Sequence, residues 1–338
     1  MPDRGFLFAS ALVSIVWCAS CAACSGGGGM DGADSREASR LPNTVRIACW
    51  NAQTFFDAVD DGTEFREFRG SASAWSESRY VERLSRLAEA LVLAGEVSGA
   101  GRGRVPDIAV LCEIENERVL SDLWNRLPRS GGFTDAVFVP PGKGLAFGTG
   151  ILARAAPVGV TAHTIDHPTE SVRPMIEAEF GFKDEGLVIF ACHWKSKAGG
   201  DGGSSVRSAQ ERLLVDRIGR LARERPGTPF VACGDFNQQP AEFGPLRSYP
   251  NAWSRWTSGE WPGSTGIPAG SYWYRENWEA IDHFFFSPSL GDGEGDEVTR
   301  FAPVAEPPLV DVDGLPARYE LYSGRGYSDH LPLTLTIN

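Results

Sequence analysis

The stretch Val231-Ala232-Cys233-Gly234-Asp235-Phe236-Asn237 begins as an apolar run typical of a buried strand and ends on a carboxylate and an amide. Side chains alternate between the two faces of an extended chain, so Asp235 and Asn237 should point to one side while Phe236 points into the core. The stretch therefore predicts a buried strand whose end presents two polar groups to a single point. The alternative is an ordinary polar turn, since Gly, Asp and Asn are frequent turn residues.

The ends of other apolar runs repeat this arrangement. Each lies next to a side chain that can bind a metal or transfer a proton, and these positions are Trp50-Asn51, Glu113, His193 and Ser328-Asp329-His330. One polar strand end is routine, but turn composition does not explain five in one chain. Strand ends in layered α/β proteins are where a rigid scaffold presents its chemistry, so we expect one shared site.

Three of these side chains are carboxylates, namely Glu113, Asp235 and Asp329. Carboxylate oxygens are hard ligands that hold Mg²⁺ or Mn²⁺ rather than zinc, and Ca²⁺ is a third candidate. Such a cation neutralises charge on a phosphoryl oxygen and on the leaving oxygen. The residue types therefore favour metal-assisted hydrolysis of a phosphoester.

Further polar side chains could complete such a site. His193 and His330 can carry protons near neutral pH, and Asp282 could orient a histidine by a hydrogen bond to its other ring nitrogen. Three cations could offset the charge of an anionic substrate, and these are Arg173, Lys195 and Lys197.

Strand-like and helix-like segments alternate from residue 44 onward, with no linker long enough to mark a second domain. Helices are predicted over residues 76–94, 116–127 and 205–222, and Gly95 is predicted to end the first. Strands are predicted at residues 45–50, 108–112, 149–152, 175–182, 187–191, 281–286 and 331–337, and from residue 231. This mixture fits a layered α/β protein, although pattern alone does not give the order of the strands.

Composition narrows the class of protein. The chain has 338 residues and 42% hydrophobic content, which is enough for one large domain or two modest ones. The formal net charge of -12 argues against a protein that coats nucleic acid through bulk electrostatics, because Lys and Arg drive phosphate binding. An anionic substrate would need local cations, supplied by a few basic side chains or by metal ions.

The N-terminal residues 1–24 have the pattern of an export signal, with an apolar run too short to span a bilayer. Their cysteine-rich end is similar to a bacterial lipobox, with Cys24 as the preferred lipid acceptor and Cys21 as the second. Residues 25–43 predict a flexible tether, and the folded domain is expected over residues 44–338. We therefore expect an exported protein, either a lipoprotein anchored in the bacterial cell envelope or, if the signal is an ordinary secretory one, a secreted protein.

Four further cysteines lie close to the polar ends of apolar runs, and these are Cys49, Cys112, Cys192 and Cys233. They are far apart in sequence and show no C-x-x-C spacing, so small buried strand residues are favoured over a zinc site. A disulfide is compatible with export, but the sequence assigns no pairing.

Together these pieces resemble the endonuclease/exonuclease/phosphatase superfamily of metal-dependent phosphoesterases. The matching segments occur in the order of the family, between residue 44 and the C-terminus, and they are CWN (49–51), LCEIEN (111–116), ACHWKSK (191–197), GDFN (234–237), IDH (281–283) and SDH (328–330). Any one segment is weak evidence, whereas the combination is highly specific.

The resemblance implies an α/β fold that is a two-sheet β-sandwich flanked by helices, in four layers (α/β/β/α). It places the site at one edge of the sandwich. It also implies that Asn51 and Glu113 belong to the metal site and that Asp329 joins them.

The resemblance also implies roles in catalysis. Asp235 and Asn237 would position the attacking water and the phosphate. His330, paired with Asp282, would act as base or phosphate ligand, and His193 would assist the leaving group or bind the phosphate. Members of the family are described with different residues as the base, so Asp235 and His330 both stay open for that role.

Two features near the second matching segment need separate comment. Cys112 stands where many relatives have Gln, which matters little if its side chain faces away from Glu113. Glu115 is an alternative metal ligand, but Asn116 follows Glu113 by three residues as in the family, which favours Glu113.

The surroundings of His193 favour nucleic acid among the substrates of the family. Residues 193–197, the glycine-rich loop up to Gly203, and then Arg207 and Gln210 resemble the equivalent region of bacterial extracellular nucleases. Basic residues beside a flexible loop could hold a polymer backbone, and the alternative is a solvated surface loop. No protein partner is implied, and we expect a monomer.

The aromatic residues between positions 253 and 278 do not decide which class of phosphoester is the substrate. They could stack unpaired bases or seat a lipid phosphodiesterase on a membrane, although core packing is favoured for at least half of them. The alternatives to a nuclease are a lipid or inositol phosphoesterase of the sphingomyelinase type and a non-catalytic surface lipoprotein. The absence of a long apolar hairpin argues against the first, and the filled site positions argue against the second.

Overall fold

The structure is a computed structural model that describes residues 16–17, 40–70, 73–128, 132–167, 170–197, 203–259 and 268–338. The predicted export signal, the lipid acceptor Cys24 and the predicted tether lie outside the described residues, apart from residues 16–17 and 40–43. No described helix is long and apolar enough to cross a membrane.

The described part of the chain forms strands, α-helices and short 3₁₀ helices. The strands are β1 (Val16–Trp17), β2 (Val45–Phe55), β3 (Ile108–Ile114), β4 (Asp135–Val139), β5 (Gly148–Ala153), β6 (Pro157–His163), β7 (Met175–Phe180), β8 (Leu187–His193), β9 (Phe230–Asp235), β10 (Tyr272–Tyr274), β11 (Asn277–Glu279), β12 (Asp282–Phe286), β13 (Val298–Pro303) and β14 (Leu333–Ile337). The α-helices are α1 (Glu77–Val97), α2 (Glu117–Arg126), α3 (Ser204–Glu224) and α4 (Ala252–Thr257). The 3₁₀ helices are Arg66–Phe68, Pro240–Glu242, Pro245–Ser248 and Pro288–Leu290.

Two mixed sheets form the centre of the molecule. The first has the strand order β1-β4-β5-β3-β2-β14-β13, and the second has the order β12-β9-β8-β7-β6. Strand β2 runs parallel to β3 and β8 runs parallel to β9, whereas β14 and β12 run antiparallel to β2 and β9. The central strands read as continuous apolar runs because they are buried on both faces.

Three apolar clusters show that the molecule is layered. Ile47 and Ile189 belong to the cluster between the two sheets. Leu91 of α1 and Leu120 of α2 pack on the outer face of the first sheet, and Leu214 of α3 packs on the outer face of the second. These layers confirm the predicted two-sheet β-sandwich flanked by helices.

The four cysteines of the domain are free and buried on central strands, as predicted for small strand residues. Cys49 of β2 contacts Cys233 of β9 across the sandwich. Cys112 of β3 donates its Sγ–H to the backbone oxygen of Cys192, at 3.5 Å. Burial is the main cause that raises the pKa of Cys49, Cys112 and Cys192 well above the ordinary thiol value, so these thiols stay protonated.

The sequence predicted that helix α1 ends at Gly95, but the helix continues past this residue. It begins after Ser76, whose side chain accepts a hydrogen bond from the backbone N of Arg79, and it continues to Val97. A Cβ atom on Gly95 would lie 1.9 Å from the backbone oxygen of Arg104. The glycine is therefore required by the close approach of a neighbouring segment, not by a helix end.

Aromatic residues of the region 253–278 divide between core and surface. Trp253 and Trp256 of α4 pack into the cluster between the sheets, but the other four described aromatic residues of this region lie outside the apolar clusters. The prediction that at least half of the set packs in the core is therefore wrong. The strands β10 and β11 form a separate hairpin that carries Tyr272 and Tyr274. Trp261 lies outside the described residues.

Candidate active site

The topology brings the polar strand ends to one rim of the sandwich. The parallel strands β2 and β3 pair Asn51 with Cys112 near their ends, and the parallel strands β8 and β9 pair His193 with Asp235 at theirs. Strand β12 runs the opposite way, so its first residue, Asp282, pairs with Asp235. Strand β14 also runs opposite to β2, which brings the segment that precedes it to the same rim. Both sheets therefore contribute side chains to one place.

Asn51 links carboxylates that come from different sheets. Its Nδ2 donates to Glu113 Oε1 at 3.1 Å and to Asp235 Oδ2 at 3.0 Å. Its Oδ1 accepts from the backbone N of Gln53 at 2.9 Å. Asn51 is buried, so these bonds fix the side chain at the junction of the two sheets.

Glu113 is held by the backbone of the segment that follows Asn51. Its Oε2 accepts from the backbone N of Thr54 at 2.5 Å. Glu113 has a φ of 60°, and Gln53 and Thr54 have φ values of 52° and 44°. Left-handed backbone is uncommon for residues other than glycine, and it concentrates at functional sites where the surroundings hold it in place.

A buried arginine, Arg83, holds the backbone of the strained segment 52–54 in place. The guanidinium of Arg83 on α1 donates to the backbone oxygens of Ala52 at 2.9 Å and Thr54 at 3.0 Å, and also to that of Gln53. It lies 3.8 Å from the ring centroid of Tyr319. Burial lowers the pKa of Arg83 to about 10, so the side chain stays charged at neutral pH.

Gln53 and Ser328 fix the segment that carries Asp329 and His330. Gln53 Oε1 accepts from the backbone N of Asp329 at 3.0 Å. Ser328 donates its hydroxyl to the backbone oxygen of Asn51 at 2.7 Å and accepts from the backbone N of His330 at 3.0 Å. The C-terminal segment is thereby fastened to the end of β2.

Asp282 and His330 form a buried hydrogen-bonded pair. His330 Nδ1 donates to Asp282 Oδ2 at 2.7 Å, and Ser271 Oγ donates to the same oxygen at 2.6 Å. Burial by itself lowers the pKa of His330, but Asp282 outweighs it, and the pKa is raised to about 10. The arrangement leaves Nε2 of His330 for a substrate, and the carboxylate of Asp282 fixes the ring as predicted from the sequence.

Asp235 and Asn237 lie together on the rim, and Phe236 points the other way into an aromatic core. Asp235 Oδ1 accepts from the backbone N of Asn237 at 2.9 Å, and Asn237 Nδ2 donates to the backbone oxygen of Trp194 at 3.2 Å. The ring centroids of Phe236 and Trp194 are 4.7 Å apart. Burial, followed by the charge of Asp282, raises the pKa of Asp235 to about 7.

His193 and Arg173 lie at the floor of the same site. His193 is buried, and its Nδ1 has no hydrogen-bond partner among the described residues. Burial lowers the pKa of His193 well below its ordinary value, and the charges of Arg173 and His330 lower it further, so the ring is neutral. Arg173 faces the carboxylates of Glu113 and Asp235, which raise its pKa, although burial lowers that pKa overall.

The two predicted substrate-binding lysines are paired with carboxylates. Lys195 Nζ lies 2.7 Å from Glu170 Oε2, and Lys195 is not among the residues that line the cavity of the site. Lys197 Nζ lies 2.5 Å from Glu242 Oε2 and does line the cavity. Of the three predicted cations, the structure therefore brings Arg173 and Lys197 to the site and leaves Lys195 beside it.

These side chains surround an open cavity of about 1230 Å³. The predicted residues that line it are Asn51, Glu113, Arg173, His193, Lys197, Asp235, Asn237, Asp329 and His330. The ring of Tyr272 covers that of His330, with 4.6 Å between the centroids. The cavity is wide enough for a polymeric or branched substrate and is not a closed small-molecule pocket.

The donor atoms at one side of the cavity fit a divalent cation. Glu113 and Asp329 supply carboxylate oxygens, and Asn51, whose Nδ2 donates to Glu113, would supply its amide oxygen with the amide group turned over. Both carboxylates line the cavity, and the charge of Glu113 contributes to the raised pKa of Asp329 after the larger effect of burial. An all-oxygen donor set of this kind suits Mg²⁺, Mn²⁺ or Ca²⁺.

Two other groups of acidic residues come close enough to share an ion. Asp235, Asp282 and His330 form one such group, in which Asp282 is hydrogen-bonded to His330 and pairs with Asp235 on the neighbouring strand. The other contains Glu115, the alternative ligand suggested by sequence. Glu115 accepts from the backbone N of Asp57 at 2.6 Å and does not line the cavity, so the geometry favours Glu113.

Sequence reasoning missed several side chains that shape this site. Arg83, Gln53 and Ser271 were not singled out for it, although Arg83 carried a signal because it interrupts the apolar stripe of α1. A charged residue inside an apolar helical stripe has to find buried partners. The other two give no such signal, since polar residues near strand ends are common.

Comparison with known proteins agrees with this geometry. A sequence model described as "Endonuclease/Exonuclease/phosphatase family" matches residues 48–330. Comparison with curated protein sequences gave no match.

Solved structures with the same fold include a family protein from Bacteroides thetaiotaomicron, with 20% identity and a TM-score of 0.56, covering 88% of this chain and 96% of that one. The catalytic domain of human nocturnin with bound sulfate shows 17% identity and a TM-score of 0.54, covering 88% and 96%. TDP2 from D. rerio complexed with a single-strand DNA product shows 18% identity and a TM-score of 0.55, covering 88% and 100%. The matched segments and the shared fold show that this chain belongs to the endonuclease/exonuclease/phosphatase family, whose members hydrolyse phosphoester bonds.

Proposed function

We propose that this protein is a divalent-metal-dependent phosphodiesterase and that its substrate is nucleic acid. The observation that carries the proposal is the convergence of Glu113, Asp235 and His330 on one cavity, although they come from three separate regions of the chain and from both sheets. Family membership supports phosphoester hydrolysis. The oxygen donors described above support the metal.

Each residue has a role that its position allows. Asn51, Glu113 and Asp329 would hold the cation, which when bound neutralises charge on the phosphoryl group. Asp235 accepts hydrogen bonds at the junction of the sheets and would orient the attacking water together with Asn237.

Two histidines and one arginine would act on the phosphate itself. His330 would contact it through Nε2, because Nδ1 is bonded to Asp282. His193 is neutral and buried, so it would donate a hydrogen bond to the phosphate or to the leaving oxygen without adding charge. Arg173 would compensate the phosphate charge from the cavity floor.

Several observations favour nucleic acid over a phospholipid. The cavity is open, and Arg275, Arg318 and Lys197 line it despite the negative charge of the whole chain. Lys197 is paired with Glu242 and Arg318 lies 4.0 Å from Asp329, so these two cations are partly neutralised. Local cations of this kind can follow a phosphate backbone. A structural relative, TDP2, was solved with a single-strand DNA product.

The test is hydrolysis by the purified protein of DNA, RNA, sphingomyelin and phosphoinositides, with Mg²⁺ or Mn²⁺ and with EDTA. We expect metal-dependent cleavage of a polynucleotide, and His330→Ala should lower the rate on the order of 10²-fold. The control is His163→Ala, because His163 is bonded to Glu177 on the far edge of the second sheet. Cleavage of lipid alone would make the protein a lipid phosphodiesterase, and cleavage of nothing would favour a non-catalytic surface protein.

We also propose that the protein is exported and anchored by a lipid on Cys24. The support is the sequence of residues 1–24 and the glycine-rich segment that follows. Cells that express Cys24→Ser should no longer incorporate an azide-labelled fatty acid into the protein, whereas the matched control Cys21→Ser should. Loss of label only in Cys21→Ser would move the anchor to that residue, and no label in the unmodified protein would leave a secreted form.

A further inference from the structure

The hairpin formed by β10 and β11 stands at the mouth of the cavity and has an unusual turn. Tyr274 pairs with Asn277, so only Arg275 and Glu276 form the turn, and their φ values are 47° and 64°. Two-residue turns with both φ values positive are normally built from Asn and Gly. A turn that uses two long charged residues instead is strained, and such strain is retained mostly at sites that act on a ligand.

The two faces of the hairpin carry different side chains. Trp273 and Trp278 form a directly opposed pair on one face, with ring centroids 5.4 Å apart. Tyr272 and Tyr274 alternate with Trp273, so they lie on the other face, and both line the cavity. The tryptophan pair stiffens the hairpin, while the tyrosine face is turned toward the site.

The tyrosine face continues a stack of rings that begins at the dyad of Asp282 and His330. Tyr272 lies over His330 at 4.6 Å, and Tyr274 is nearly parallel to Tyr272, with 15° between the planes and 6.0 Å between the centroids. The guanidinium of Arg275 lies 5.1 Å from the ring centroid of Tyr274. Tyr274 is 45% exposed, so the stack ends in solvent with an aromatic ring and a positive charge.

We propose that this ring stack binds an unpaired nucleobase next to the phosphate that is cleaved. The proposal rests on the proposed function and adds to it the class of substrate, which is a single-stranded polynucleotide. Unpaired bases stack on aromatic side chains regardless of sequence, whereas the base faces in a duplex are covered by neighbouring bases. The contact of Tyr272 with His330 places the stack beside the group that acts on the phosphate, and Arg275 faces the adjoining backbone.

The experiment combines changes in the protein with changes in the substrate. Single-stranded oligonucleotides with one cleavable bond are compared with the same oligonucleotides that lack the base on one side of that bond. The variants are Tyr274→Ala, Tyr274→Leu, which keeps apolar bulk, and Tyr274→Phe, which keeps the ring. Val158→Ala is the surface control, since Val158 is 65% exposed on the edge strand β6. Thermal unfolding checks that every variant is folded.

We expect Tyr274→Ala and Tyr274→Leu to raise KM for the intact oligonucleotide about tenfold, the loss expected for one stacked base, and Tyr274→Phe to restore most of the binding. Removal of the base on one side of the bond should raise KM by a similar factor in the wild type and cause no further loss in Tyr274→Ala. Fluorescence of 2-aminopurine at that position should be quenched on binding in EDTA, and Tyr274→Ala should abolish the quenching.

Other outcomes separate the two proposals. If the wild type cleaves oligonucleotides but the losses from Tyr274→Ala and from base removal multiply, or neither loss occurs, the nucleobase site is wrong while the proposed function stands. The nucleobase site is also wrong, while the proposed function stands, if every variant cleaves duplex substrate as well as it cleaves single-stranded substrate. If the wild type cleaves no polynucleotide and Tyr274→Ala instead weakens binding to sphingomyelin vesicles, both proposals are wrong.

Discussion

His283 follows Asp282 directly in the chain, but its ring lies on the opposite face of β12. Its Nε2 donates to the backbone oxygen of Gln238 at 2.8 Å, and its Nδ1 accepts from Asn251 Nδ2 at 3.2 Å. The ring of Phe243 lies 5.0 Å away. Burial in this aromatic setting lowers the pKa of His283 to about 4, so one strand carries a neutral structural histidine next to the carboxylate that charges His330.

The neutral state of His283 predicts how stability depends on pH. As pH falls below about 6.5, the unfolded chain takes up a proton at this histidine and the folded chain does not until about pH 4. The contribution of His283 to the free energy of unfolding is therefore complete above pH 6.5. It declines by roughly 3 kcal/mol in total as the pH falls toward 4. Urea unfolding at several pH values should show this slope in the wild type and a reduced slope in His283→Gln. Equal slopes in the two proteins would show that His283 titrates normally in the fold.

The metal-binding role of Glu113 gives a second prediction at this scale. Glu113→Gln replaces a charged donor by a neutral one, so the Mg²⁺ concentration for half-maximal activity should rise about tenfold or more. Glu115→Gln is the matched control, because Glu115 lies two residues away and outside the cavity. A shift in Glu115→Gln without one in Glu113→Gln would place the metal at the acidic group of Asp61, Glu64 and Glu115 instead.

At the scale of single elements, sequence patterns located most of the central strands and the long helices, but they missed the buried strand β4 and the edge strand β13. The central strands are apolar on both faces, so their runs are continuous and visible. Strand β6 was missed because it is an edge strand with exposed positions such as Val158. The hairpin of β10 and β11 was missed because its strands have three residues each, which is too short for a periodic signal.

Two helical glycines allow a direct test of why each is there. A Cβ atom on Gly95 of α1 would lie 1.9 Å from the backbone oxygen of Arg104, whereas one on Gly219 of α3 would meet only the end of the Arg223 side chain at 3.4 Å. Gly95→Ala should therefore lower the free energy of unfolding by more than about 1 kcal/mol, because backbone has to move. Gly219→Ala should raise it by about 0.5 to 1 kcal/mol. Denaturant unfolding measures both, and a stable Gly95→Ala would show that the contact with Arg104 is not required.

At the scale of the whole molecule, the site exists only where the two sheets meet. Asn51 and Glu113 belong to the first sheet, Asp235 belongs to the second, and Asn51 Nδ2 bonds to both carboxylates. Several negative groups are thereby gathered in a chain whose net charge is already -12. A bound cation should therefore stabilise the entire sandwich and not only its own loops.

Addition of Mg²⁺ should raise the midpoint of thermal unfolding, because an ion that binds only the folded state adds about 2.7 kcal/mol at 100 times its Kd. NaCl at the same ionic strength controls for general screening of the negative charge. Glu113→Gln should show a smaller rise than the wild type. An equal rise with NaCl would mean that the effect is screening alone.

The residues of the site could be identified from the sequence because each one lies next to the end or the beginning of an apolar run. Such runs are visible in the sequence alone. Contacts between distant positions could not be named in the same way. Lys195 was predicted to face a substrate, but it pairs with Glu170, and no sequence pattern announces that partner. The same holds for Arg83 and the three backbone oxygens it holds, because only the fold brings α1 under the end of β2.

The four thiols buried in the sandwich can report when and where its strands separate. Each is buried on a strand of one sheet, and Cys49 on β2 touches Cys233 on β9. A buried thiol is out of reach of iodoacetamide, so alkylation at these positions can occur only when strands separate. The order in which Cys49, Cys112, Cys192 and Cys233 acquire adducts, read by peptide mass spectrometry, would therefore show which layer parts first.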